Sequence, residues 1–396
     1  MSRHSNSRLR TPSDLRREGR GGWRGPEDRV ALGWPKGFAA GPENRSALLV
    51  LLGLASLTPR RLLELAAEVG SASRCLAEVR AGRAGSAADT SYATAIEPAV
   101  VADRLEAAGA RLVAAGDPGY PSSLLDLFDP PAGLFVSGPG PPVEGPVVAV
   151  VGARNCTPAG REMASALGAA LARAGACVVS GGARGIDAAA HQGALDAGGR
   201  TVVVLGSGID VAYPKQNRGL LDAARELGAV VSEYPPGTPA EPFRFPARNR
   251  IVAALGSAVV VVEGAEGSGS MITADHALEM GRDVLAVPGA VTGPLSWVTN
   301  ALIRDGAALI RGPEDLLADL GLDGGAPGAS PAEEPAATLG PEEQAVWSAL
   351  VVPSAPDALA RAAGRPLPEV MAGLMALELR RLVRQVGGRY ERRLTR

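Results

Sequence analysis

The chain predicts an α/β protein: a parallel sheet with crossover helices, preceded by a small helical domain and followed by a winged helix. Three observations carry this. Between residues 146 and 320, Val-rich runs of about five residues alternate with helical stretches of about ten to fifteen, the signature of strand–helix–strand units. Before them, leucines recur at helical spacing from Asn44 to Ala115, as in helices that bury one face. After them, 341–396 reads as three helices and a short hairpin around Gly387-Gly388, the order of a winged helix.

Each element has its own reason. Residues 1–40 are rich in Gly, Pro, Arg and Ser without periodicity, so a disordered tail is expected there, and no apolar leader segment is recognisable. Residues 44–115 form the helical domain, in which SLTPRRLLELAAEVG offers Ser56 or Thr58 as a helix cap and Pro59 as the first turn. The Gly- and Pro-rich stretch 116–145 is a connector ending in a short strand, LFVSG. Core strands are predicted at 147–151, 176–180, 201–205, 229–232, 258–262, 283–286 and 307–310. They lack polar alternation, so both faces of the sheet are expected to be buried. Residues 321–340 hold no aromatic or basic residue and much Gly, Ala and Pro, the composition of a linker.

Composition narrows the function. The net charge is −2 and the pI about 6.1, so no global basic field draws polyanions to the surface. Any anion binding must come from a local cluster. The apolar run ALLVLLGLASL at 47–57 is too short to span a bilayer. Cys75, Cys156 and Cys177 lack CxxC spacing and cannot all pair, which fits a reduced, cytoplasmic setting. No His or Cys cluster suggests a metal site, and no Ser-His-Asp order suggests a nucleophile. The GxG at Gly206–Gly208 lacks the third glycine of a dinucleotide fingerprint, so no cofactor is expected. His191, four residues after Asp187, is read as an internally hydrogen-bonded side chain.

In an open parallel sheet, ligands bind beyond the carboxyl ends of the strands. There the sequence places Gly152 and Arg154, then the Ser180-Gly181-Gly182 turn ahead of a helix. Small residues let backbone N–H groups approach an anion, and a guanidinium can clamp a phosphate. Lys215 and Asn217 lie in YPKQN. Lys215 is one of only two lysines among forty basic residues, so a compact point charge is read as selected there. FRFPARNR supplies Phe245, Arg248, Asn249 and Arg250, with Phe243 and Arg244 beside them. Cations interleaved with aromatic rings suit a single strand, whose bases stack while its phosphates are neutralised. Tyr213, before a proline, is read as pinning its turn into the core. Ser268 and Ser270 in SGSMITA offer hydroxyls at one more strand-to-helix turn.

The ordered blocks VGARNCTPAG, SGGARGIDAAAH, LGSGIDVAYPKQN, FPARNR, SGSMITADHALEMGRDVLAVPG and LIRDGA closely resemble the DprA/Smf family of bacterial DNA-processing proteins. The resemblance spans roughly residues 45–320 and, more loosely, the chain through 396. It implies an extended Rossmann-like core that binds single-stranded DNA as a homodimer, without catalysis, protects incoming strands during natural transformation (competence) and promotes RecA loading for recombination. By the same resemblance, Arg154 is the DNA-binding arginine, Lys215 the lysine of the YPK loop, and Ser180 and Gly181 the SG turn. The family's dimer surface lies near its LIxxGA block, Leu302 to Ala307 here, with Asn300, Ile303 and Leu309 placed on it. The helical domain is similar to the family's SAM-like domain, and 341–396 to its winged helix. The chain departs from the pattern at Ser296–Asn300, where a glycine is usual, and at Arg381. A second reading is a nucleotide-cleaving enzyme of related fold, whose PGGxGTxxE turn carries a catalytic glutamate. Here the turn reads EGAEGSGSMIT, with Glu263 and Glu266 ahead of the glycines, which argues against it. The terminal winged helix is open to duplex DNA or to a partner protein.

Overall fold

The computed structural model describes residues 33–142, 144–323, 339–350, 354–380, 382–386 and 388–392. Residues 1–32 of the expected tail and 324–338 of the expected linker lie outside them. Five helices come first: α1 (Gly41–Leu51), α2 (Pro59–Val69), α3 (Ala72–Arg80), α4 (Ala87–Ala95) and α5 (Pro98–Ala107). Thr58 caps α2, its side chain accepting from Arg61 N, and Pro59 occupies the first turn. Phe38, Leu48, Leu51, Leu62, Leu76 and Val79 form the core of these helices.

Two expectations change here. Phe38 is 1% exposed and its ring lies 4.8 Å from that of Trp34, so the ordered chain begins before Gly41. Both rings bury apolar area on α1–α4 that a tail would leave wet. Residues 110–114 are also not helical. Ala110–Ala114 is strand β1, paired antiparallel with β2 (Gly133–Ser137), Leu112 facing Phe135. Pairing with β2 along all five residues, with Val113 and Ala114 buried, overrides the helical context before it.

The core strands are β3 (Val147–Val151), β4 (Cys177–Ser180), β5 (Thr201–Leu205), β6 (Ala229–Ser232), β7 (Ala258–Val261), β8 (Asp283–Ala286) and β9 (Ala308–Leu309). Each lies within one residue of its predicted ends. With β1 and β2 they form one nine-stranded sheet in the order β1-β2-β6-β5-β4-β3-β7-β8-β9. From β6 to β9 all neighbours are parallel; β2 joins β6 antiparallel. The crossovers run through α6 (Pro158–Arg173), α7 (Ile186–Asp196), α8 (Arg218–Leu227), α9 (Arg244–Leu255), α10 (Gly269–Glu279) and α11 (Trp297–Arg304); α12 (Pro313–Asp319) follows β9.

Both faces of this sheet are covered. Val148 and Val150 pack with Leu167 and Leu171 of α6, while Ala149 and Val151 pack with Ile251 and Ala254 of α9. Successive side chains point to opposite faces, so unbroken valine runs serve two apolar layers. The chain runs outward from β3 to β6, then returns to lay β7 on the other side of β3. This reversal opens a crevice beyond the carboxyl ends of β3 and β7, where open α/β sheets bind ligands. The last helices are α13 (Pro341–Ala349), α14 (Pro356–Ala363) and α15 (Leu367–Leu379), followed by the hairpin β10 (Val383–Val386) and β11 (Arg389–Arg392). Val346, Leu359, Leu374, Val383 and Tyr390 make their core. Gly388 of the expected turn has φ 76°; Gly387 lies outside the described residues. Among the described residues no helix is long and apolar enough to cross a membrane.

Candidate nucleic-acid interface

A cavity of about 340 Å³ fills the crevice. It is walled by Gly152, Arg154 and Asn155 after β3, by Gly181 after β4 and Asp187 at the start of α7, by Arg248 and Asn249 of α9, and by Glu266–Ser270 where α10 begins. The fold thus brings seven of the twelve predicted strand-binding residues to one opening: Gly152, Arg154, Gly181, Arg248, Asn249, Ser268 and Ser270.

They do not all offer free groups. Ser180 is fully buried and its hydroxyl donates to Val150 O at 2.6 Å. The Gly181 N–H, expected to meet a phosphate, donates instead to Asp187 Oδ2 at 3.1 Å, as does the Ala183 N–H at 3.3 Å. The Ser180 hydroxyl and the Gly181 N–H are thus engaged within the turn. Asp187 is the residue that sequence reasoning missed; an acid one residue into a helix after a glycine turn was the available signal. Asn217 holds the same turn from outside, its Nδ2 donating to Gly182 O at 2.9 Å. Ser268 caps α10, accepting from Ser270 N and lying 2.9 Å from the Ser270 hydroxyl. Asn249 Nδ2 donates to Gly269 O at 3.1 Å and ties α9 to that cap.

Arg248 is 4% exposed yet reaches the cavity wall. One guanidinium nitrogen donates to Gly181 O at 2.7 Å and to Val204 O, while its Nε has no partner among the described residues. A Cβ on residue 181 would crowd this guanidinium, so a side chain there would have to displace Arg248. Burial lowers the guanidinium to about 10, Asp187 opposing and Arg154 adding to the shift. Burial also raises Asp187 above the usual carboxylate range, against the pull of Arg248. A cation at the wall of a cavity whose hydrogen bonds all go to carbonyl oxygens gains from an incoming anion.

Arg250 is a correction. Two residues along α9, it donates to both Glu233 oxygens at 2.7 and 2.9 Å and to Asp129 Oδ2 at 3.0 Å. Burial works against its charge, but these two carboxylates outweigh burial and raise its pKa. It clamps the connector to the core and is not available to a phosphate. His191 is internally bonded as expected: Thr201 Oγ1 donates to Val178 O, so His191 Nδ1 donates to Thr201 Oγ1 at 2.6 Å.

The exposed groups stand at the rim. Arg154 lies 5.1 Å over the Phe245 ring, and Phe245 lies 5.2 Å from Tyr213, two residues before Lys215. Tyr213 is 46% exposed, which corrects its placement in the core. Phe243, 66% exposed, carries Arg244 at 5.0 Å over its ring. Arg154, Lys215 and the unpredicted Arg184 are exposed. Arg184 follows the SGG turn directly, and that position was its signal. Of the expected dimer residues, Asn300 exchanges hydrogen bonds with the Gly289 backbone, Ile303 packs on the core, and Leu309 is 45% exposed on the edge strand β9.

Comparison with known proteins agrees with this architecture. The family described as DNA recombination-mediator protein A matches residues 111–321, and the DprA winged helix domain matches 330–389. The DNA processing protein DprA of Streptococcus pneumoniae is 44% identical over 200 residues, half of this chain and 71% of its own length. Protein Smf of Escherichia coli is 38% identical over 297 residues, 73% of this chain and 79% of its own. The X-ray structure of DprA from Streptococcus pneumoniae superposes with a TM-score of 0.61 at 34% identity, covering 70% of this chain and 98% of that one. With this fold, these blocks in order and these matches, the chain belongs to the DprA/Smf family of DNA-processing proteins.

Proposed function

We propose that this protein binds single-stranded DNA along the rim of the crevice, protects it and passes it to RecA for homologous recombination, as in natural transformation. The observation that carries the reading is the row Arg154–Phe245–Tyr213 leading to Lys215. Rings there can stack bases while Arg154, Lys215 and Arg184 neutralise phosphates, and Arg248 meets the anion that enters deepest. The protein acts by binding in this reading, in the cytoplasm, as a homodimer joined near β9 through Asn300, Ile303 and Leu309. Among the described residues the edge strand pairs with β8 alone, so its outer side offers backbone groups to a second copy. The enzyme reading is disfavoured by Glu263, whose carboxylate accepts from Thr157 N at 2.9 Å and from Thr157 Oγ1, at the start of α6. It is thereby committed to a helix cap.

The test is titration of a fluorescent oligothymidylate at two salt concentrations beside a duplex competitor. Salt-sensitive binding that prefers the single strand is expected, and Lys215→Glu weakens it more than tenfold with the fold unchanged by circular dichroism. Absence of binding at low salt overturns the reading.

A further inference from the structure

The winged helix carries a surface that this reading does not use. In a helix-turn-helix on duplex DNA, the second helix enters the major groove, and its side chains donate to bases and phosphates. Here that helix is α15, LPEVMAGLMALEL. None of its thirteen residues has a side-chain hydrogen-bond donor, and its two charges are Glu369 and Glu378. Its outer side is apolar instead. Leu367 is 40% exposed, Met375 59% and Leu379 84%, with half-buried Met371 completing the row.

Leu367, Met371, Met375 and Leu379 recur every four residues, which puts them along one face, and they read Leu-Met-Met-Leu in either direction. An antiparallel copy of the same helix, related by a two-fold axis near Gly373, sets Leu367 against Leu379 and Met371 against Met375. The charges agree with that arrangement. Arg365 is held by Glu369 at 3.2 Å and Arg380 by Glu343 at 3.4 Å. That leaves Arg361, before the Leu367 end, and Glu378, at the Leu379 end, exposed and without an ion-pair partner among the described residues. Antiparallel pairing brings the Glu378 end of one copy to the Arg361 end of the other.

We infer that the α15 face is a self-association surface that pairs winged helices of two copies antiparallel, Leu367 to Leu379 and Met371 to Met375. An isologous contact of this kind closes on itself, and flexible methionines adapt to a partner surface. It is separate from the β9 edge. A chain carrying both contacts joins dimers into a series, and each contact raises the effective concentration for the other.

Full-length protein tests it by cysteine bridging. Met371→Cys/Met375→Cys and Leu367→Cys/Leu379→Cys place thiols at facing positions, whereas Met371→Cys/Leu379→Cys is four residues out of register. That slip is about 6 Å along the helix, enough to separate thiols from bonding range. Both in-register proteins are expected to give at least tenfold more covalent dimer on mild oxidation than the out-of-register one or the unsubstituted chain, and Glu378→Arg lowers that yield. Equal, low yields in all three overturn the inference. So does a face whose Met375→Glu/Leu379→Glu change abolishes duplex binding while bridging is absent, since that face then docks DNA.

Discussion

Arg248 and Arg250 stand two residues apart on α9 and serve two different regions. Arg248 reaches the crevice, bonded to carbonyl oxygens with Nε unpartnered among the described residues. Arg250 faces the connector, paired with Glu233 and Asp129, and its Nη1 too has no hydrogen-bond partner among the described residues. Both are buried. The difference lies in what neutralises each: a cation met by two carboxylates is structural, and one met by dipoles beside a cavity still has an anion to gain. Burial therefore does not separate a binding arginine from a clamp; its partners do.

The largest effect that would sharpen this contrast is at the clamp. Arg250→Ala leaves Glu233 and Asp129 uncompensated, and removing one partner of a buried pair costs about 3–5 kcal/mol. Denaturant unfolding of the variant should show that loss, while its folded fraction keeps its affinity for oligothymidylate. A variant that keeps its stability and loses DNA binding would move Arg250 to the crevice and break the comparison.

Acid comes next. Burial, with Arg248 adding, lowers the His191 imidazole to about 3. Its folded value lies below the unfolded one near 6.5, so between these values the unfolded chain binds the extra proton. Stability from this group is therefore complete above about pH 7 and falls on acidification, by about 2 kcal/mol at pH 5. Unfolding of the wild type and His191→Gln at both pH values checks it: the variant should lose that part of the pH dependence. An identical dependence would mean that the interior beneath the crevice is wetter than its packing indicates.

The sheet was legible because its valine runs obey one rule, burial on both faces, and every core strand lay within a residue of expectation. β1 was not, because ARLVA follows five helices and only its partner LFVSG makes it a strand. The site was legible as a set of turns but not as a set of free groups. Ser180, Gly181 and Arg250 look like ligands in sequence, yet Val150 O, Asp187, Glu233 and Asp129 already engage them. The Arg250 partner Asp129 lies 121 residues away along the chain, so local pattern could not show it; Asp187, six residues from Gly181, could have been read locally. Tyr213 was misplaced for the converse reason: a proline after it suggested a core turn, and its ring stacks at the rim.

At the rim, Phe245→Ala removes both the support of Arg154 and one stacking surface. Base stacking on an aromatic ring contributes about 1–3 kcal/mol, so single-strand affinity should fall roughly tenfold or more, with duplex affinity less affected. Equal losses on both would mean that the ring only props Arg154.

Lys215→Ala has the smallest stability consequence and the clearest signature. The side chain is exposed, so its loss leaves unfolding unchanged. If it neutralises one phosphate, the log–log dependence of affinity on salt becomes shallower by about 0.7. An arginine that works from inside the crevice wall also loses affinity when replaced, but it takes carbonyl contacts and local packing with it. Measuring slope and stability together thus separates the two kinds of cation. Lys215 should change the slope alone, and a slope that stays fixed in Lys215→Ala would place the strand elsewhere along the rim, toward Arg184.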